Sequence, residues 1–293
     1  MISIAANMDE YDIAQEIRLE RQLHKGSFLL LEGQDDLKRF AKFLDRTCST
    51  VNCFGRKNLV GAILILYDEG FPGALGLGDA DFDRITNSLL VHEGIIYSEG
   101  HDFDLDWACE SVLSRYLSEV AHADKCELLG GTPGITTFLF NSVRPISVLR
   151  YLNVHQGLGY KLSRIRHHVV APDTIVDINI LVDHVSTGAF GSPAQKLSLT
   201  NLILAHAKRE FDSYQLTNGH DFLTMLGVAL QEKLGDREIP QTWGSEIELH
   251  FRLAYSEDDF VASSLFLAII AWQDENVPYV VLKPSLIARR PTL

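Results

Sequence analysis

The sequence is short of cysteine, of long apolar runs and of cationic side chains, and each shortage removes a class of protein. Its four cysteines, Cys48, Cys53, Cys109 and Cys126, include no Cys-x-x-Cys pair. A disulfide framework is therefore not indicated, and reduced cytosolic thiols that fill core space are expected. No apolar stretch reaches the roughly 18 residues that span a bilayer. The N-terminal segment MISIAANMDEYDIAQEIRLE turns acidic too early for a secretory leader, so the expected compartment is the cytoplasm. Lysine and arginine number 26 against 39 aspartates and glutamates, for a net charge of −13. Sliding attachment to DNA rests on broad phosphate neutralisation, and this balance argues against it. Any nucleic-acid surface must be a local basic patch or be completed by a partner. Gly55, Gly76 and Gly78 make neither a Walker loop nor a Gly-x-Gly-x-x-Gly fingerprint, so no intrinsic ATPase is expected. Internal repeats and low-complexity tracts are also lacking.

What is present is the composition of a globular chain, 46% hydrophobic and 22% charged over 293 residues, enough for one large domain or two ordinary ones. Residues 9–25 carry Ile13, Ile17, Leu19 and Leu23 among charges, as an amphipathic helix does. Strands are expected at Ser27–Leu31, Thr50–Phe54, Ala74–Leu77 and Leu89–Tyr97. Helices are expected over 37–46, over Gly55–Tyr67 with Val60, Ile63, Leu64 and Leu66 buried, and over 105–121. Strands alternating with helices imply a parallel sheet with right-handed crossovers. After about residue 125 the pattern changes to helices, at Thr137–Leu152 with a kink or break at Pro145, Leu197–Asp212, His220–Leu234 and Asp258–Gln273, with one or two short strands in Arg164–Ile180. The expected class is α/β: a parallel sheet flanked by helices over residues 1–125, and a mainly helical second domain over 126–293 that binds substrate, partner or both.

Two apolar strands run into carboxylates. Phe28–Leu31 leads into Glu32-Gly33, and Leu75–Gly78 leads into Asp79-Ala80-Asp81-Phe82-Asp83. In an open α/β sheet, function collects at the carboxyl ends of the strands. Acidic oxygens gathered there suit Mg²⁺, or Mn²⁺, since a hard ion takes oxygen ligands and keeps several waters. Either motif alone is also what a solvated strand end or an ordinary turn looks like. The joint order, Glu-Gly after one strand and Asp-x-Asp after another with a β-α unit between, is more specific.

This order resembles the TOPRIM domain of topoisomerases, bacterial primases and OLD-type nucleases, over roughly residues 27–104. The resemblance implies that Glu32 is the TOPRIM glutamate and that Asp79 and Asp81 are its aspartate pair. Asp83 is an extra carboxylate. Asp35 and Asp36 stand where OLD-type nucleases can place further metal-holding acids. The stretches Glu32-Gly33-Gln34-Asp35-Asp36, Asp79–Asp83, Ser98–Asp104 and Asn218-Gly219-His220-Asp221 are similar to the AriB-type TOPRIM effectors of the two-gene PARIS anti-phage systems. That similarity implies a toxic nuclease of abortive infection, held inactive by an ABC-type ATPase encoded in the same operon and released on infection. RNA, such as tRNA, is the preferred expected substrate over DNA. The expected metal set is Glu32, Asp36, Asp79, Asp81 and Asp83, and the expected catalytic residues are Glu32, Asp79, Asp81 and His101. No tyrosine nucleophile or primase machinery is recognisable, which leaves hydrolysis of a phosphodiester.

Three further groups follow from the residues themselves. His101 and Asp102 lie in the turn before an expected helix near Leu105; either this is only a helix N-terminal turn, capped by Asp102 or Asp104, or His101 stands beside Asp79 to shuttle a proton or orient a phosphate. His220 and Asp221 open a helix, where capping charge is the ordinary role. The densest basic run, Tyr160–His168, offers Lys161, Arg164 and Arg166 as a phosphate-docking patch, with Arg144, Arg150 and His155 nearby, or is merely a solvated face. Two rival functions stand beside the nuclease: a catalytically inactive TOPRIM scaffold that binds the ATPase or nucleic acid, and a small-molecule phosphotransfer enzyme. A homodimer is the default assembly, and no membrane association is expected.

Overall fold

The structure, a computed structural model, describes residues 8–186, 191–235 and 243–290. Its centre is a four-stranded parallel sheet in the order β2-β1-β3-β4. The strands are β1 (Phe28–Leu31), β2 (Ser49–Asn52), β3 (Ala74–Gly78) and β4 (Ile95–Tyr97). β1 pairs with β3 in the register Phe28 to Ala74 through Leu31 to Leu77. Every residue of β1 and of β3 is buried, as expected of inner strands whose crossover helices cover both faces. The α/β class with a largely helical later region is thus the observed one.

The helices near the sheet form for local reasons. α1 (Glu10–Glu20) begins at a capping box in which Asp9 and Asp12 exchange side-chain-to-backbone bonds. α2 (Gln34–Phe40) carries Asp35 and Asp36 in its first turn, which Asp36 closes onto the Gly33 N–H. α3 (Arg56–Asp68) buries Leu59, Ala62, Ile63 and Leu66. Leu64, expected inside, is exposed instead: the buried stripe follows i, i+3, i+4, i+7 from Leu59, and Leu64 falls off it. Ile13, Ala14 and Ile17 of α1 join α3 and the strands in one apolar cluster.

Elsewhere the structure moves or splits the expected elements. The fourth strand is confined to Ile95–Tyr97, and residues 89–94 are loop. The helix expected over 105–121 is two, Phe103–Trp107 and Glu110–Val120. Pro145 breaks nothing: one helix runs from Gly131 to His155 through it. Arg164–Ile180 contains no strand; the Leu162–Arg164 turn and the short helix His167–Val170 occupy its first part. The helix expected over Asp258–Gln273 is interrupted, at Val261–Ser264, into Glu257–Val261 and Ser264–Glu275. Among the described residues, no helix is long and apolar enough to cross a membrane.

The chain forms two compact units, and both are discontinuous in sequence. The first is Met1–Ala80, Leu89–Glu99 and Tyr255–Leu293; the second is Asp81–Ser88 and Gly100–Ala254. A division at 125/126 follows composition, whereas compactness follows long-range pairing. The C-terminal segment belongs with the sheet because its polar groups are satisfied there: the Asp45 N–H donates to the Val281 carbonyl at 2.8 Å, and Trp272 Nε1 donates to the Tyr67 hydroxyl at 3.1 Å. Phe260 stacks on Phe43 with ring centroids 4.1 Å apart. In the second unit the long Gly131–His155 helix packs against Pro193–Ala207 and Gly219–Ala229.

The turn before β3 contains two left-handed glycines with different surroundings. Gly70 has φ 68° and open space where a Cβ would stand, whereas a Cβ on Gly73, φ 76°, would lie 2.4 Å from the Tyr279 ring. Gly70→Ala is expected to cost only the left-handed strain, about 1–2 kcal/mol. Gly73→Ala is expected to cost a further 1–3 kcal/mol or so through overpacking. Urea denaturation of both variants checks this, and equal losses would show that the Tyr279 ring yields without cost.

Candidate functional site

In the sheet unit, Glu32 follows β1 directly and Asp79 follows β3 directly. Because Leu31 is opposite Leu77, the parallel register delivers both carboxylates to one edge. Oε1 of Glu32 accepts the Asp79 N–H at 2.8 Å. Gly78 leaves room for this approach: a Cβ there would stand 3.2 Å from Glu32 Oε1, a tight contact, and 3.5 Å from the Tyr97 ring. Ser98, after β4, clasps the other side. Its N–H donates to the Gly78 carbonyl at 3.0 Å, and its Oγ accepts the Ala80 N–H at 2.9 Å. In the sequence Ser98 falls within the stretch Ser98–Asp104, with no role of its own assigned to it.

The neighbouring acids have other duties. Asp36 receives the Gly33 N–H at 3.2 Å and Arg39 Nη1 at 2.9 Å. Arg39 is buried, so Asp36 supplies the countercharge it needs. Asp35 lies exposed beside Lys38 at 3.2 Å. Among the described residues, no group of three or more His, Cys, Asp or Glu side chains is gathered closely enough to hold a metal ion. The structure thus brings Glu32 to Asp79 and commits Asp36 to helix closure and charge neutralisation.

In the second unit, Asp81 has a left-handed backbone, φ 48°, and its N–H donates to the His101 carbonyl at 2.7 Å. Nδ1 of His101 bonds to the Gln215 carbonyl at 3.0 Å, and Nε2 stands 3.8 Å from Asp81 Oδ1. Burial pushes the His101 imidazole below its ordinary pKa, against the opposing pull of the Gln215 carbonyl and the Asp81 charge. Asp102 caps the next helix, accepting the Leu105 N–H at 2.8 Å. Asp83 heads the short helix Asp83–Thr86, with Oδ1 receiving the Ser88 hydroxyl at 3.0 Å.

Asp221 does more than supply charge to a helix end. Asn218 is the cap, accepting the Asp221 N–H at 2.9 Å. The Asp221 carboxylate is fully buried. Arg150 binds it through both Nε and Nη2, the latter at 2.8 Å, and His167 Nε2 reaches it at 3.1 Å. Desolvation acts to raise this carboxyl's pKa; the bonds from His167 and Arg150 and the guanidinium charge overcome it and hold it below the usual carboxylate range. Its neighbour His220 bonds through Nδ1 to Glu248, which raises the imidazole above its ordinary value against partial desolvation. The basic run is correspondingly smaller than the sequence suggests. Arg150 belongs to Asp221, and Arg144 caps carbonyls of Ala207 at 2.9 Å and Arg209 at 2.6 Å. Lys161, Arg164 and Arg166 are exposed, as is His168.

Asp221→Asn is expected to destabilise the protein by about 3–5 kcal/mol, because it leaves the Arg150 charge without its partner. The sign with pH is set by the depressed carboxyl. Its stabilisation is complete above the unfolded value of about 3.9 and disappears as pH falls through the folded value. Urea denaturation at several pH values should therefore show the gap between wild type and Asp221→Asn narrowing in acid; a gap independent of pH would contradict the ion-pair account. As to known relatives, no protein-family model matches the chain, and a search of curated proteins returns no match.

Proposed function

We propose that the chain is a TOPRIM-type, divalent-metal-dependent phosphodiesterase, acting as the nuclease effector of a bacterial anti-phage system. One observation carries the reading: Glu32 and Asp79 end neighbouring parallel strands and are joined by the Glu32 Oε1 bond to the Asp79 N–H. The donor set fits the metal in kind, since carboxylate oxygens are what a hard dication takes. Two protein carboxylates also suffice for Mg²⁺, which usually keeps waters and takes phosphate oxygens of its substrate. Glu32 and Asp79 would hold the ion, and Asp81, two residues further along the chain, is the third acid of the motif. When bound, such an ion polarises the phosphodiester and makes water a competent nucleophile near neutral pH.

The residues around these acids do work of their own. Ser98 and Gly78 set the position of the Asp79 backbone, and therefore of its carboxylate. Lys161, Arg164 and Arg166, exposed along one short stretch, are the cations proposed to meet a phosphate backbone on a chain of net charge −13. The acidic balance and the missing phosphate-binding loop support a regulated effector: energy-dependent switching must come from another chain, which the family resemblance makes an ABC-type ATPase of the same operon. RNA, such as tRNA, is the proposed substrate. A catalytically inactive scaffold is the second reading, favoured by one observation: Asp36 is occupied with Arg39.

Glu32→Gln is expected to keep an acceptor for the Asp79 amide, and so the fold, while lowering metal-dependent cleavage on the order of 100-fold or more. Glu32→Ala should also lose roughly 1 kcal/mol of stability, because the partly buried amide loses its partner. Cleavage of labelled tRNA and duplex DNA by the chain, alone and co-purified with the neighbouring ATPase, is the assay; full activity in folded Glu32→Gln would remove the metal assignment, and full activity without a partner would remove the regulation. Reversing the charge of Lys161, Arg164 and Arg166 should weaken nucleic-acid binding and lower the slope of log K against log salt by about one for each lost phosphate contact. An unchanged slope would make this run a solvated face.

A further inference from the structure

The turn after β2 displays an aromatic ring where the backbone disfavours one. Phe54 has φ 55°, a left-handed conformation that is an outlier for a bulky side chain. Its neighbours impose it. The Asn52 side chain accepts the Phe54 N–H at 3.0 Å. The Cys53 N–H donates to the Leu31 carbonyl at 2.9 Å, and the Gly55 N–H donates to the Glu32 carbonyl at 2.8 Å. The turn is thus fastened on both sides of Phe54, and one fastening is the glutamate of the candidate site. Burial offsets the strain only in part, since Phe54 is 43% exposed. Strain of this kind clusters at functional positions.

A cation stands at the same sheet edge. Alternate residues of β3 share a face, and Gly76 and Gly78 share the face that α3 covers: a Cβ on Gly76 would meet Leu59 at 2.9 Å and Ile63 at 3.1 Å. Over Gly78, at the strand end, the Glu32 carboxylate and the Tyr97 ring take that position. Arg56, the first residue of α3, lays its guanidinium over the same Tyr97 ring, 5.3 Å from the centroid. A guanidinium carries five donors in one plane, so contact through its face is compatible with bonds to more than one acceptor around its edge.

Phe54 and Arg56 flank the residue that bonds to Glu32. An exposed ring and a planar cation are the two parts that grip a single-stranded nucleotide: bases stack on aromatic side chains, and phosphate oxygens take arginine. A base inside a duplex is already stacked on both faces and cannot add this contact. We propose that Phe54 and Arg56 hold one nucleotide of a single-stranded substrate beside Glu32 and Asp79, with the unpaired base stacked on the Phe54 ring and a phosphate bonded to the Arg56 guanidinium. Unpaired loops and ends are then taken, and continuous duplex is refused. The inference rests on the reading of Glu32 and Asp79 as a phosphodiesterase centre.

The test is RNA binding by the full chain, with EDTA present so that cleavage does not intervene. Short single strands are compared with duplexes of the same sequence, after the folding of each variant is checked by thermal melting. Wild type should bind the single strands about tenfold or more tightly than duplex. Phe54→Asn suits the left-handed backbone and should melt close to wild type, yet lose about tenfold in single-strand affinity; Phe54→Tyr should retain it. Arg56→Gln should lower the slope of log K against log salt by about one, and Arg56→Lys should keep it. One measurement needs no variant: single-stranded RNA carrying iodouracil, irradiated on wild type, should cross-link to the peptide that contains Phe54. Equal affinity for single strand and duplex, unchanged affinity in folded Phe54→Asn, or cross-links only elsewhere would overturn the inference and leave cleavage through Glu32 standing. Lost affinity in Phe54→Asn together with full cleavage by Glu32→Gln would keep the single-strand site and remove the phosphodiesterase reading.

Discussion

Parallel pairing of β1 with β3 is the constraint on which the rest of the sheet unit depends. Parallel strands cannot be joined by a tight turn, so each must be followed by a crossover. The crossover α3 covers the strands, and their residues are accordingly apolar without alternation. The same geometry makes every strand end at one edge. Glu32 and Asp79 are neighbours for that reason, although 47 residues separate them in sequence. The glutamate also does structural work by receiving the Asp79 amide, so removing it affects the backbone as well as the charge.

The chain treats its acids in two opposite ways. Asp221 is withdrawn from water, neutralised by Arg150 and bonded to His167, and Asp36 neutralises the buried Arg39. These carboxylates are parts of the fold, because a buried charge is tolerated only when paired. Glu32, Asp79 and Asp81 remain partly exposed at strand ends or just beyond. Partial exposure lets a carboxylate exchange water for another ligand, and it is this second group that the proposed chemistry uses. The cations divide similarly. Arg144 and Arg150 serve the fold, which leaves Lys161, Arg164 and Arg166 as the run's candidates for a polyanion.

Much of the first half was legible in the sequence. Phe28–Leu31 and Ala74–Gly78 are apolar runs too short for buried helices and bounded by glycine or acid, so their identity as inner strands, and the acids after them, could be read directly. The helix over 56–68 was legible too, but its inward face was not, because Leu64 and Leu59 are equally apolar and only the orientation against the strands separates them. The run of the long helix through Pro145 was not legible, since a proline inside a helical pattern ordinarily marks a break or kink.

What the sequence determined by itself was local: which segments are strand or helix, the parallel class of the sheet, and the succession Glu32, Asp79, Asp81. These follow from periodicity and from short-range sterics, which a chain carries in its order of residues. Only the tertiary structure decided which charges meet. Arg150 could have belonged to a basic patch and Asp221 to a helix cap; their pairing across 71 residues, like the return of Tyr255–Leu293 to the sheet unit, has no periodic signature. The reason is physical. Ion pairs and buried hydrogen bonds depend on distance and desolvation, and both are set only when the chain has closed upon itself.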